Sequence, residues 1–158
     1  MNKRVVKRNR DELFPLGIGA MRLPTKNNSI DRESAQEFIL YAIENGVNYI
    51  DTAYAYHGGE SESFLGDLLS LSGSDGVKYR DKIKLSTKLP SWMVRSREDM
   101  DAFLNEQLRK LQTDFIDYYY VHSVDLSTIL RLKDLGLYEF LEKAKADGKI
   151  NNIGFSYH

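Results

Sequence analysis

Val47-Asn48-Tyr49-Ile50-Asp51-Thr52-Ala53-Tyr54-Ala55-Tyr56-His57 is the stretch whose reading decides the fold. Val47, Tyr49 and Ile50 suit a buried strand, and the apolar run stops at a carboxylate. An acid at a strand end must find a partner or meet water, because a lone buried charge is costly. Read alone, Asp51 caps the next turn. The same arrangement recurs further along the chain, and the recurrence makes it an architecture.

Upstream, Asp31 has the position of an N-cap, and Ala35, Phe38, Ile39, Ala42 and Ile43 repeat at helical spacing. Gly46 ends that helix, so the turn into the strand is short. Leu16 to Leu23 reads as an earlier strand in which Gly17 and Gly19 allow close backbone approach. These two glycines do not make a dinucleotide fingerprint, since the third glycine and the helix start are missing. Residues 1–15 form a charged lead-in, read as a small hairpin closing one end of the fold.

Downstream, Gly58-Gly59 breaks the chain, and Phe64, Leu65, Leu68 and Leu69 mark a helix whose start carries Glu60 and Glu62. Ser72 to Asp81 reads as a loop and Lys82 to Lys88 as an alternating strand. Ser96 and Asp99 have capping-box spacing ahead of Met100, Phe103, Leu104, Leu108 and Leu111. Phe115 to Val121 is the strongest strand and ends in His122. Leu126 to Leu135 is an irregular or helical insertion. Tyr138, Leu141, Ala144 and Lys145 belong to a helix stopped by Gly148, and Ile150 to Phe155 is a fifth strand running into Ser156, Tyr157 and His158.

With 158 residues, 42% hydrophobic and 28% charged, the chain reads as a single domain, 1–158, of an ordinary globular class. Its net charge of −1 gives no nucleic-acid footprint, and the basic opening Lys3, Arg4, Lys7, Arg8 and Arg10 reads as a charged terminus. There is no membrane-length apolar run and no signal-like segment after that opening, which points to a cytoplasmic location. Without cysteines, disulfides, thiolate-bound zinc and iron–sulfur ligation by this chain are excluded.

Strand and helix alternate four times before a last strand. Tight connections of this kind imply parallel pairing with right-handed crossovers. Residue pattern leaves two α/β architectures open: an open doubly wound sheet, or part of a (β/α)8 barrel. In either, parallel strands share one carboxyl end. Asp51, Lys88, His122 and Ser156 each end a strand, and Tyr56 lies just past the second. Side-chain parity puts Tyr49 with Asp51, Ser86 with Lys88, Tyr118 and Tyr120 with His122, and Asn152 and Gly154 with Ser156. Lys84 shares that interior face and is expected to reach the opposite mouth.

These groups suit carbonyl reduction. Hydride addition to a C=O carbon builds negative charge on oxygen, which a placed phenol can protonate. A nearby ammonium stabilises the phenolate left behind, a carboxylate holds the ammonium, and a histidine can hydrogen-bond the same oxygen. The roles fall to Tyr56 as acid, Lys88 as its tuner, Asp51 as the lysine's partner and His122 as orienting donor.

At these residues the chain resembles the aldo-keto reductase family. The matching pieces are Gly46 to Tyr56, Ser86-Thr87-Lys88, Asp114 to His122 and Gly148 to Ser156. The resemblance implies a TIM barrel, here about (βα)4β, with Asp51, Tyr56, Lys88 and His122 as catalytic tetrad. It implies NADPH as cofactor and a small aldehyde or ketone as substrate. Asp51, Ser156, Gly19 and Met21 form its implied cofactor-facing set. Tyr157 stands where the family usually has an Asn, so only Ser156 carries over. The Gly-Phe-Ser-Tyr-His ending is similar to a subgroup with a later cysteine-rich iron–sulfur region, which is not carried over.

A full barrel needs about 250 residues. The chain therefore resembles an amino-terminal half, truncated before the family's phosphate-gripping loops. The expectations are an incomplete NADPH site, weak or no activity of this chain alone, and self-association through open barrel edges. The alternative is a non-catalytic half-barrel that binds a partner. Among single residues, His57 reads as a loop residue and His158 as a solvated tail. Tyr118 and Tyr120 read as core, and Trp92 either covers a pocket or simply packs.

Overall fold

The computed structural model describes residues 3–157; His158 lies outside them. It opens with β1 (Arg4–Val5) and β2 (Glu12–Leu13), which pair antiparallel as the expected hairpin. β3 (Ile18–Gly19) runs into a 3-10 turn at Ala20–Arg22, and β4 (Thr25–Lys26) and β5 (Ser29–Ile30) form a second small hairpin. There follow α1 (Arg32–Glu44), β6 (Tyr49–Asp51), α2 (Glu60–Leu69), the single turn α3 (Tyr79–Lys82), β7 (Lys84–Leu89) and α4 (Arg97–Leu111). β8 (Ile116–Val124), α5 (Leu126–Asp134), α6 (Leu137–Ala146) and β9 (Ile150–Tyr157) complete it.

Among the described residues, β3, β6, β7, β8 and β9 form one parallel sheet in that order. Helices cover its outer face, which is the arrangement of a partial barrel wall. The core lies between the two layers. Ile50, Leu85, Leu89 and Tyr119 of the sheet meet Ile39, Leu65, Leu104 and Phe140 of the helices, all buried.

Local chemistry explains the element ends. Asp31 accepts from Ser34 N as N-cap of α1, and Ser96 and Asp99 make both bonds of a capping box on α4. Gly46 has φ +98°, and its missing side chain admits the Phe14 ring. On α1, Ala35, Ile39 and Ile43 face the core, whereas Phe38 points to solvent.

Several boundaries differ from expectation: the first expected strand is confined to Ile18–Gly19 before a 3-10 turn, and β9 continues past Phe155 to Tyr157. The β7 strand begins at Lys84, because Tyr79–Lys82 coils into a helical turn. Arg80 pulls that turn inward, donating to Thr113 Oγ1 and Phe115 O and pairing with Asp117 at 2.9 Å. His122 does not end β8, which continues to Val124 through a bulge between Val121 and Val124. Ser123 sits there at φ +50°, its N–H turned to Ser156 Oγ at 2.8 Å.

The barrel-interior face carries Tyr49, Tyr118 and Tyr120, all half-buried. Tyr49 and Tyr120 share a hydroxyl–hydroxyl hydrogen bond of 2.9 Å. Lys84 reaches the amino-terminal mouth, where it pairs with Asp11 at 3.0 Å. The opening hairpin closes that mouth. Asn9 donates to Asn152 Oδ1 and Tyr118 Oη, and the Tyr118 hydroxyl donates to Asp11 at 2.7 Å. Burial, with Asp11 beside it, pushes the Tyr118 phenol up to about 12.

Candidate functional site

At the carboxyl mouth, register brings the polar strand ends together. Gly19 pairs with Asp51, and Asp51 with Ser86. Ser86 Oγ donates to Asp51 Oδ1 at 2.6 Å, and the Lys88 ammonium takes the other oxygen at 2.6 Å. Lys88 is only 6% exposed, yet its ammonium is satisfied. It also donates to Thr52 O at 2.8 Å and to Tyr56 Oη at 3.1 Å. All three ammonium hydrogens thus have acceptors. With its oxygen accepting from Lys88, the Tyr56 hydroxyl keeps its own hydrogen for another acceptor.

His122 closes the opposite side. Its ring lies 6.0 Å from the Tyr56 ring in edge-on orientation, and the Trp92 indole lies 5.2 Å beyond it. A cavity of about 460 Å³ opens between these groups, lined by Met21, Ala55, Tyr56, Lys88, His122, Ser123 and Ser156. Of the residues singled out for chemistry, Met21, Tyr56, Lys88, His122 and Ser156 line this cavity, and Asp51 is joined to it through Lys88. Gly19 stands beside Asp51 with no atom within 4 Å of where a side chain would begin. Met21 is exposed at the mouth.

Other residues take structural posts. His57, at φ +51°, accepts the Leu23 N–H on Nε2 at 3.1 Å and so ties the Tyr56 loop to the β3 segment. Tyr118 and Tyr120 sit deeper in the barrel than the cavity. Trp92 is half exposed, with its indole against the His122 ring.

Several participants escaped the sequence reading. Ser86 was visible as a neighbour of Lys88 by parity, but its bond to Asp51 was not. Ser123 reaches the cavity because of the bulge, which nothing local announces. Glu62, read as a helix-start residue, is instead completely enclosed. Burial raises its carboxyl above the usual range, although hydrogen bonds from Thr87 and Gln107 oppose the rise.

Residues 15–158 match the family model described as "Aldo/keto reductase family". The chain is 29% identical over 159 residues to norsolorinic acid reductase B of Aspergillus parasiticus, covering 90% of this chain and 39% of that protein. Among solved structures, a holo-form aldo-keto reductase from Bacillus halodurans superposes with a TM-score of 0.78 at 30% identity. That match covers 99% of this chain and 50% of the other. An aldo-keto reductase from Klebsiella pneumoniae, solved in complex with NADPH, gives 0.76 at 26% identity, covering 98% and 49%. The chain thus spans half or less of the length of these proteins.

Proposed function

This chain belongs to the aldo/keto reductase family, and from that premise we propose that its rim cavity serves NADPH-dependent reduction of a small aldehyde or ketone. One observation carries the proposal: the Lys88 ammonium joins Asp51, Thr52 and Tyr56 in contacts of 3.1 Å or less.

The cavity's chemistry fits the nicotinamide end of the cofactor. Gly19 leaves room beside Asp51, and Met21 and Ala55 give an apolar wall. The Ser156 hydroxyl accepts from Ser123 N and keeps its hydrogen for a carboxamide oxygen. When bound, NADPH supplies hydride. The chain's own groups handle the proton. As charge grows on the carbonyl oxygen, the Tyr56 hydroxyl donates to it. Lys88 steadies the phenolate that remains, and Asp51 fixes Lys88 in place. His122 orients the carbonyl oxygen, and Trp92 shields that side from water.

The test is NADPH oxidation with nitrobenzaldehyde, using Tyr56→Phe as control. The proposal expects turnover that falls by about a hundredfold or more in the variant. Turnover that survives Tyr56→Phe, or none in the unaltered chain, overturns it.

One observation favours a second, compatible reading. The outer face of β9 is open to solvent, with Phe155 67% and Tyr157 73% exposed. β9 is also an edge strand of the sheet among the described residues, and we propose that a second copy of this chain pairs along it, since an uncovered strand edge invites pairing.

A further inference from the structure

Behind the sheet, opposite the cavity, lies a carboxyl that the proton chemistry above does not use. Glu62 sits in the first turn of α2 and is fully buried. Its Oε1 accepts from Thr87 Oγ1 at 2.6 Å and from Gln107 Nε2 at 2.7 Å. Gln107, also fully buried, donates further to Thr87 Oγ1 at 3.1 Å and to Lys88 O at 3.0 Å. Its own oxygen accepts from the Tyr119 hydroxyl. Glu62 Oε2 makes no hydrogen bond among the described residues. The Lys110 ammonium stands 4.0 Å away, drawn toward Glu106 at 3.2 Å.

Filling this space does not require an acid, and burying one is costly. What the acid does here is join two elements. The turn at Tyr56–Gly59 leads directly into α2 through a kink at His57, Gly58 and Gly59, all three in the left-handed region. Ser61 fixes the first turn of α2 to Thr52 Oγ1 and Ala20 O. Glu62 fixes the same turn to β7, at the residue before Lys88, while Gln107 holds the Lys88 carbonyl from behind. The Tyr56 turn and the Lys88 strand thus meet at two places: the cavity contact and this clamp.

We propose that Glu62 is a positioning residue, which sets the Tyr56–Lys88 contact from the far side of the sheet by locking α2 to β7 through Thr87 and Gln107. The role rests on the reductase reading for its chemistry, and the test separates the two.

Glu62→Ala is expected to lower kcat about a hundredfold with KM and NADPH affinity nearly unmoved, since small misplacements of reacting groups have effects of that size. Glu62→Gln keeps an acceptor for Thr87 and Gln107 and is expected to restore most of the loss. A merely structural role lowers the melting temperature without separating kcat from KM. A crystal structure of each variant gives a second readout that needs no turnover. The Tyr56 Oη to Lys88 Nζ separation, 3.1 Å here, is expected to exceed about 3.5 Å in Glu62→Ala and to close again in Glu62→Gln. Should Glu62→Ala fail to fold, Thr87→Val removes one strand of the clamp at nearly constant volume and is expected to widen the contact in the same sense. An unchanged separation in a folded variant overturns the proposal. A widened separation with no turnover in the unaltered chain overturns the reductase reading and leaves the clamp standing.

Discussion

Lys88 Nζ lies 2.6 Å from Asp51 Oδ2, but the two partners are not equally buried: 8% of the lysine side chain and 28% of the aspartate are exposed. The two halves of this pair therefore depend on each other unequally. Asp51→Ala strands an ammonium in a dry place and is expected to cost about 3 kcal/mol of stability. Lys88→Met leaves a carboxylate that still meets water and the Ser86 hydroxyl, and is expected to cost only about 1 kcal/mol. Urea denaturation of both variants measures the asymmetry. Equal losses would contradict it.

Glycine spacing gives a second prediction. A Cβ on Gly66 would lie 2.1 Å from the Lys110 carbonyl oxygen, so α2 and α4 touch backbone to backbone. A Cβ on Gly154 would lie 2.6 Å from the Tyr120 ring, a side chain on the open interior face. Gly66→Ala must push two helices apart and is expected to cost about 3 kcal/mol or more, whereas Gly154→Ala displaces a movable ring for about 1 kcal/mol. Melting temperatures of the two variants rank them. Loss of the Tyr49–Tyr120 bond in Gly154→Ala is the accompanying structural sign.

The pH dependence of stability should carry the mark of Glu62. Burial raises this carboxyl in the folded state, so the folded chain keeps the proton at pH values where the unfolded chain has released it. Its contribution is fully present below the ordinary value of 4.5 and is lost as pH rises through the raised one. Glu62→Gln lacks this titration. The melting-temperature difference, variant minus parent, is expected to grow as pH rises from the acid range to neutrality. Asp11 is held below its ordinary value because the Tyr118 and Lys84 contacts outweigh burial, so it acts in the opposite sense. It is common to both proteins and cancels. A difference that shrinks with rising pH would contradict the assignment.

Association through β9 is open to direct measurement. Ile153, Phe155 and Tyr157 lie on its exposed side, next to exposed Leu126 and Tyr138. Light scattering after size exclusion is expected to find assemblies larger than one chain, and Phe155→Lys is expected to shift them toward the monomer. A parent chain that stays monomeric at all concentrations would count against the pairing.

Much of this was legible from the chain because it depended on local rules. Asp31, Ser96 and Asp99 announce helix starts by hydrogen bonds made within four residues. Strand parity put Asp51, Lys88 and His122 on one face, and that face is where they are found. What escaped notice depends on partners remote in sequence. The helical turn at Tyr79–Lys82 exists because Arg80 finds Thr113, Phe115 and Asp117. The continuation of β8 past His122 depends on β9 and on the Ser156 hydroxyl. Glu62 carries no local signal of burial, since a helix start normally shows its acids to solvent.

The hairpin beneath the barrel has a consequence for how the chain acquires its structure. Asn9 is bonded to Tyr118 and Asn152, partners 109 and 143 positions away. On a ribosome the hairpin emerges well before its docking site, which is assembled from β8 and β9. Early synthesis thus produces a segment with nowhere to settle, and such long-range closure makes folding slow. Deleting the hairpin should then shorten the refolding time while leaving the carboxyl-side cavity in place.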